Sequence, residues 1–404
     1  MSRKRILVIG INSAPEPTGI GRYTGEMLEW LVANGYEVTM VTAFAYYPQW
    51  KIQPPYSGHA YKKEVSHEGK LTVYRCPLYV PANPTGLKRL IHEATFHVSA
   101  FFVILRLLFK QTHQITLAIA PPFHLGTLAL FYSWFKKTRT IYHIQDLQVD
   151  VAKELDILKQ KWMFETLFGL EKFILSKVDV ISTISDGIRK KIRTKIDKPV
   201  MIFLNWVDTA HFYPVSNRND LKVNWGFSTT DKVVMYSGSI GEKQGLSGLV
   251  NVAKDLPDIK FVICGTGPFK DKLQVQANEM GLSNVYFFPL QTYSVFNDFL
   301  NMADLHLVLQ KGGASDLMMP SKLSTILAIG GLVLVTAKPQ TALYDVITDH
   351  KMGLVVEPEN DLMLGEAILD CLANASCQER VNARRFAEAN LSRDNVLGGM
   401  FGSV

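Results

Sequence analysis

The sequence predicts an α/β protein built from two doubly wound parallel sheets, and three observations carry that prediction. Short β-branched runs alternate with longer segments of helical period from one end of the 404-residue chain to the other. The strands fall into two series, with a boundary near Asn205 to Pro214. A composition of 47% hydrophobic and 20% charged residues can fill two cores and excludes disorder and low-complexity structure.

The first series of strands is read at residues 5–10, 37–42, 71–75, 115–119, 139–144, 178–183 and 200–203. The apolar run Ile6 to Ile9 is shorter than the core of a signal peptide and is followed by Gly10 and polar residues, so it opens the sheet. The second series is read at 232–237, 259–264, 284–288, 305–309, 332–336 and 353–356. Helical spacing is expected over 23–34, 91–110, 151–176, 247–255, 322–329 and 362–373. The longest apolar stretch, Phe96 to Phe109, is broken by His97, Ser99 and Arg106 and falls short of the roughly 20 residues that span a bilayer. No transmembrane helix is predicted. Residues 43–69, rich in Tyr, Pro and His, read as a long loop of the kind that carries function. The expected domains are 1–205, 206–380 and a C-terminal helical segment, 381–404, packing back on the first.

Cys76, Cys264, Cys371 and Cys377 form no Cys-x-x-Cys pair, which encodes neither a disulfide framework nor a zinc site and fits a reducing cytoplasm. The net charge of +6 hides an asymmetry. Residues 1–200 hold 27 Lys and Arg against 16 Asp and Glu, and the remainder hold 16 against 21. A basic first half suits an anionic partner such as an acidic membrane face, or serves only to keep the protein soluble. Leu87 to Lys110 and Leu125 to Arg139 join apolar, aromatic-rich helices to Lys and Arg, the composition of an interfacial element; burial in the first sheet's core explains them equally well. Nucleic acid is disfavoured, because the basic clusters lack interleaved aromatic residues.

In a parallel sheet, ligands collect at the carboxyl ends of the strands. The first such loop places Gly19 and Gly21 ahead of an amphipathic helix, where close backbone approach and free amides suit an anion. Gly19 lies nine positions after Gly10, which disfavours a dinucleotide fingerprint. At the end of the 139–144 strand, His143 and Asp146 are candidate bases for an acceptor hydroxyl. After the 232–237 strand, Gly238, Gly241 and Gly245 accompany Lys243, a set of amides and one cation suited to a pyrophosphate. Gly265 and Gly267 open the next helix. Further on, Pro320, Ser321 and Lys322 begin another, and a lysine at a helix start, where the dipole disfavours it, suggests a bound anion.

Taken in order, these motifs resemble family 4 glycosyltransferases of the GT-B fold. The match includes Gly19 to Gly21, the His143/Asp146 strand end, NWVDTAHFYP at Asn205 to Pro214, GSIGEKQG, CGTGP, NVYFF and GLVVEP. The resemblance implies two Rossmann-like domains facing an interdomain cleft, with a nucleotide-diphosphate sugar held mainly by the C-terminal one. It also implies a retaining transfer to a lipid-linked saccharide in bacterial exopolysaccharide synthesis, by an enzyme that is cytoplasmic or peripheral on the inner membrane face. GDP-sugar, and GDP-fucose in particular, is the donor it points to. Two departures stand out. The family's pair of glutamates, separated by seven residues, falls on Leu317 and Thr325, leaving Asp316 next to the first and only a hydroxyl for the ribose at the second. Its loop arginine and lysine fall on Ser239 and Gln244, so Lys243 and Lys322 become the nearby cations. The chain contains no Asp-x-Asp, and neither a metal nor another cofactor is expected. Two other functions fit the same residues: a sugar-nucleotide 2-epimerase, and a membrane-associated, non-catalytic sugar-nucleotide-binding protein.

Overall fold

The computed structural model describes residues 4–57, 60–150, 161–312, 321–374 and 377–402. The chain divides into two compact units, Met1–Leu204 and Asn205–Val404.

The first unit holds β1 (Arg5–Ile9), β2 (Glu37–Ala43), β3 (Lys62–Ser66), β4 (Leu71–Cys76), β5 (Ile115–Ala120), β6 (Arg139–Ile144), β7 (Val180–Thr183) and β8 (Val200–Ile202). Their order across the sheet is β3-β4-β2-β1-β5-β6-β7-β8, parallel except for β3. Ile6, Leu7, Val8 and Ile9 are all solvent-inaccessible, as strands covered on both faces require. β3 lies inside the stretch read from sequence as a loop. Its sequence, KKEVS, is exposed almost throughout and carries no apolar alternation. Its pairing with β4 is made by backbone and by Glu64, whose carboxylate accepts from Arg75 at 2.7 Å.

The second unit holds β9 (Lys232–Ser237), β10 (Ile259–Cys264), β11 (Val285–Phe288), β12 (Leu305–Val308), β13 (Val333–Thr336) and β14 (Gly353–Val356). All are parallel in the order β11-β10-β9-β12-β13-β14, the doubly wound arrangement with its switch point between β9 and β12. The core packs Tyr236, Ile240, Phe261, Leu305 and Leu334 against helices Leu246–Asp255 and Asp361–Asn374. The C-terminal segment is anchored within this unit. Arg384 donates from Nη1 to the carbonyl of Phe212 at 2.7 Å, and Val207 bridges Ser392.

The helix read at 91–110 starts earlier, at Gly86, and runs to Leu107. At 22 residues, with a window of mean hydropathy 1.4, it is long and apolar enough to cross a membrane by length and composition. Here it lies along the first sheet and buries Phe96, Ala100, Val103, Ile104 and Leu107. Helix Leu125–Lys136 packs beside it.

Candidate functional site

The first sheet carries a polar opening at its switch point. In the first unit, a cavity of about 340 Å³ is bounded by Ile11 and Asn12 beyond β1 and by Pro121 and Pro122 beyond β5. Those are the two strands between which the connections change direction, so the first residues after each diverge and leave a crevice. Gly19, Arg89, His92, Glu93 and Asp146 also line it, together with an aromatic wall of Tyr46, Tyr47 and Trp50. That wall comes from the loop after β2, which the sequence marks as functional.

Glu16, with 4% of its surface exposed, fixes this loop. Its carboxylate accepts from the backbone amides of Tyr46 at 3.1 Å and Tyr47 at 3.0 Å, and from Asn12 Nδ2 at 2.9 Å. Burial raises its pKa, and those hydrogen bonds oppose the rise. A Cβ on Gly21 would collide with the Glu16 side chain. Gly21 therefore makes room for a resident carboxylate. Gly19, at φ +61°, does border the cavity.

The two candidate bases separate. His143 is 3% exposed, shares a hydrogen bond with Ser182 Oγ at 3.1 Å and packs on Phe203. Complete burial pushes its pKa down to about 3, so it is a neutral core histidine that does not line the cavity. Position along β6 explains this: His143 is still in the ladder, whereas Asp146 lies past its end. Asp146 is exposed on the cavity wall, and its pKa is raised, first by partial desolvation and further by the charge of Asp150. The cavity's own imidazole is His92, which sequence reasoning passed over. Its Nδ1 donates to the carbonyl of Tyr79 at 2.6 Å, while Nε2 is buried without a partner among the described residues. Burial lowers its pKa, so the neutral ring keeps a free lone pair at Nε2. Beside it, the Arg89 guanidinium lies 5.2 Å from the Trp50 ring centre.

In the second unit, the loops after β9 and β10 are bonded to each other. Gly238 N donates to the Cys264 carbonyl at 2.9 Å, Ile240 N to Thr266 at 2.9 Å and Phe269 N to Ile240 at 3.1 Å. The strand pairing thus continues into the loops. A Cβ on Gly265 would overlap the Gly238 carbonyl oxygen, and one on Gly267 would overlap that of Ile240. Both glycines are required by this contact of backbone on backbone. Gly241 N donates to Gln244 Oε1 at 3.0 Å, so the residue in the family's lysine position clamps the loop. Across the switch point, Lys311 N donates to the Lys243 carbonyl at 2.8 Å. The Lys243 side chain is exposed.

Lys322, in the first turn of helix Ser321–Ala328, reaches back to this loop. Its Nζ lies 3.7 Å from the centre of the Tyr236 ring, and would be 3.3 Å from a Cβ on Gly238. It is buried and has no hydrogen-bond partner among the described residues. Burial alone pulls its pKa down from the usual 10.5 to about 7. A buried ammonium without a counter-ion is costly, and among the described residues only the face of Tyr236 offsets it. A diphosphate at the Gly238 loop would supply the missing charge. Ser321, exposed, and Thr325, half-buried, stand on the same helix, while Asp316 and Leu317 lie outside the described residues.

Comparison with known proteins adds an independent line. The family described as "Glycosyl transferases group 1" matches residues 217–389, and the "Glycosyl transferase 4-like domain" matches residues 18–202. The colanic acid biosynthesis glycosyl transferase assigned as WcaI in Escherichia coli (strain K12) is 39% identical over 405 residues, covering 97% of this chain and 98% of the relative. In fold, the sucrose-phosphate synthase of Thermosynechococcus elongatus superposes with a TM-score of 0.74 at 17% identity, covering 99% of this chain and 98% of that one. Anabaena HepE in complex with UDP superposes at 0.69 and 12% identity, covering 99% of both.

Proposed function

The chain belongs to the group 1 and 4-like glycosyltransferases, of GT-B fold, and from that premise we propose how its own residues divide the work. The second unit takes a nucleotide-diphosphate sugar, its diphosphate at Lys322 and the amides around Gly238. The first unit takes a saccharide in the cavity beneath Tyr46, Tyr47 and Trp50. The observation that carries this reading is the unpartnered, buried Lys322 ammonium above the glycine loop. As the bond from the anomeric carbon to the diphosphate breaks, negative charge grows on the leaving phosphate, and fixed donors stabilise it most where water is scarce. The attacking hydroxyl loses a proton, for which Asp146 and the His92 Nε2 lone pair are the available acceptors on the cavity wall. The transfer is retaining and needs no metal, so turnover is expected to survive EDTA. The colanic acid name of the 39% identical relative supports a lipid-linked exopolysaccharide intermediate as acceptor and a GDP-sugar, such as GDP-fucose, as donor.

A screen of UDP-, GDP- and dTDP-sugars for binding, followed by transfer to a lipid-diphosphate monosaccharide, tests the reading. One donor is expected to bind and transfer. Asp146→Asn and His92→Phe are expected to lower turnover while leaving donor binding intact. Release of a free sugar-nucleotide epimer from donor alone, or binding without transfer to any acceptor, overturns it.

The surface of the first unit supports a further part of this reading, docking on an anionic membrane. Phe101, Phe131, Phe135 and Trp134 form a chain of ring contacts at 5.2–5.3 Å along helices Gly86–Leu107 and Leu125–Lys136. Phe109 is 91% and Trp134 79% exposed, with Arg106, Lys110 and Lys137 exposed beside them. Each nearby cation adds roughly 1 kcal/mol on an anionic surface. The protein is expected to pellet with phosphatidylglycerol vesicles at low salt and to be released at high salt. A Trp134→Ser, Phe109→Ser pair that pellets equally well would remove the patch from the account.

A further inference from the structure

A second polar cavity, of about 420 Å³, opens in the second unit away from the glycine loops. Its walls include Ser216, Asn217, Arg218, Asn219, Asp304 and Arg380. Asp304 immediately precedes β12, so the cavity sits at the amino end of the parallel sheet, whereas the Gly238 and Gly265 loops leave its carboxyl end.

Both arginines are tied to the same piece of backbone. Arg218 donates from Nε to the carbonyl of Asn301 at 3.0 Å and from Nη2 to that of Ala303 at 2.8 Å. Arg380 donates from Nη2 to the carbonyl of Asp304 at 2.6 Å. Carbonyl contacts orient a guanidinium group but do not neutralise it. The Asp304 carboxylate, which lines the cavity with them, is already engaged by Lys222 Nζ at 2.9 Å and by the amide of Val233 at 2.7 Å, and Glu379 adds a further negative charge near Arg380. Asp220 stands exposed at the rim. Arg380 Nη1 is buried and has no partner among the described residues. Burial first, and the neighbouring Arg380 charge second, hold the Arg218 pKa down to about 10, and burial also lowers that of Arg380. Two desolvated cations that repel each other, one of them with an unused donor, line a space walled by polar side chains.

We propose that this cavity binds a tetrahedral oxyanion, inorganic phosphate or a phosphomonoester, on the paired forks of Arg218 and Arg380, with Ser216, Asn217 and Asn219 completing the rim. The planar guanidinium group matches such an anion with two parallel hydrogen bonds, and a pair of them held at fixed angles gives selectivity for tetrahedral over planar anions. The site is independent of the donor site, being at the other end of the sheet, and stands or falls without it.

Full-length protein is titrated with inorganic phosphate and, separately, with glycerol phosphate, and its Tm is followed. A saturable rise with either is expected, and its absence with both overturns the proposal; which of the two acts more tightly identifies free phosphate or a phosphomonoester as the natural occupant. Asn219→Asp, a rim change that leaves the arginine anchors in place, is expected to raise the half-saturating concentration about tenfold, as is Arg380→Met. If neither substitution changes the titration, the anion binds elsewhere and the proposal fails. Lys322→Ala is expected to leave the phosphate response unchanged; its loss in that variant would assign the anion to the glycine loops and likewise refute the cavity.

Discussion

Lys322→Met is expected to raise the Tm of the ligand-free protein while weakening nucleotide-diphosphate sugar binding by at least tenfold and lowering turnover further. The methionine fills the same channel over Tyr236 without burying a charge, and replacing a buried, uncompensated ion by an apolar side chain of similar length gains about 1–4 kcal/mol. The sign of the pH dependence follows from the depressed pKa of about 7. Between that value and the ordinary 10.5, the unfolded chain binds more protons than the folded one, so wild-type stability rises with pH across this window. The advantage of the variant is therefore greatest below pH 7 and shrinks towards pH 10. Donor binding has the opposite linkage, since a diphosphate raises the lysine's pKa and its binding takes up a proton. Affinity measured by calorimetry should fall as pH rises above 7 in the wild type and stay flat in the variant. A variant with unchanged affinity, or with no gain in Tm at pH 6, would separate Lys322 from the diphosphate.

The Gly265→Ala substitution is expected to cost about 2–4 kcal/mol and to abolish donor binding even where the protein remains folded. At φ +150° the backbone resists any L side chain, and the added methyl group would overlap the carbonyl oxygen of Gly238. The two loops cannot part without breaking the amide contacts that continue the β9–β10 pairing, and Gly238 is the residue against which Lys322 is packed. Chemical denaturation and donor titration measure the two effects separately. Gly281→Ala serves as the comparison. It also has a positive φ, of +66°, but meets nothing within 4 Å, so it is expected to lose only stability and less of it. Equal losses in both variants would show that strain alone, and not the loop contact, matters at Gly265.

Much of this could be read in the residues. Every strand expected from β-branched runs is present within about two residues at either end, because a strand buried on both faces must be continuously apolar and so declares itself. β3 did not, since an exposed edge strand held by its backbone and by Glu64 leaves no hydrophobic period. The helix Asp186–Lys195 is largely polar and escaped for the same reason. Among the candidate site residues, Asp146 and Lys322 stand out in the sequence because their positions, past a strand end and at a helix start, are properties of local order. His143 was read as a candidate and His92 was not, although His92 is the one that lines the cavity. Both are histidines near apolar runs, and sequence holds no record of which ring turns inward to Ser182 and which borders a cavity.

The sequence alone settles what is periodic or adjacent: two parallel sheets, loops at their carboxyl ends, glycines and a lysine beside those loops, and a basic first half. Tertiary structure decides what each of those residues answers to. Gly21 yields space to Glu16, Gly265 and Gly267 to the carbonyls of a neighbouring loop, and Gln244 holds a turn where a cation was expected. Arg218 and Arg380, 162 positions apart, meet on one stretch of backbone. The division has a physical origin. Burial pattern and backbone preference act over a few residues and are written along the chain, whereas desolvation, clash and unmet charge depend on which distant atoms fill the remaining space.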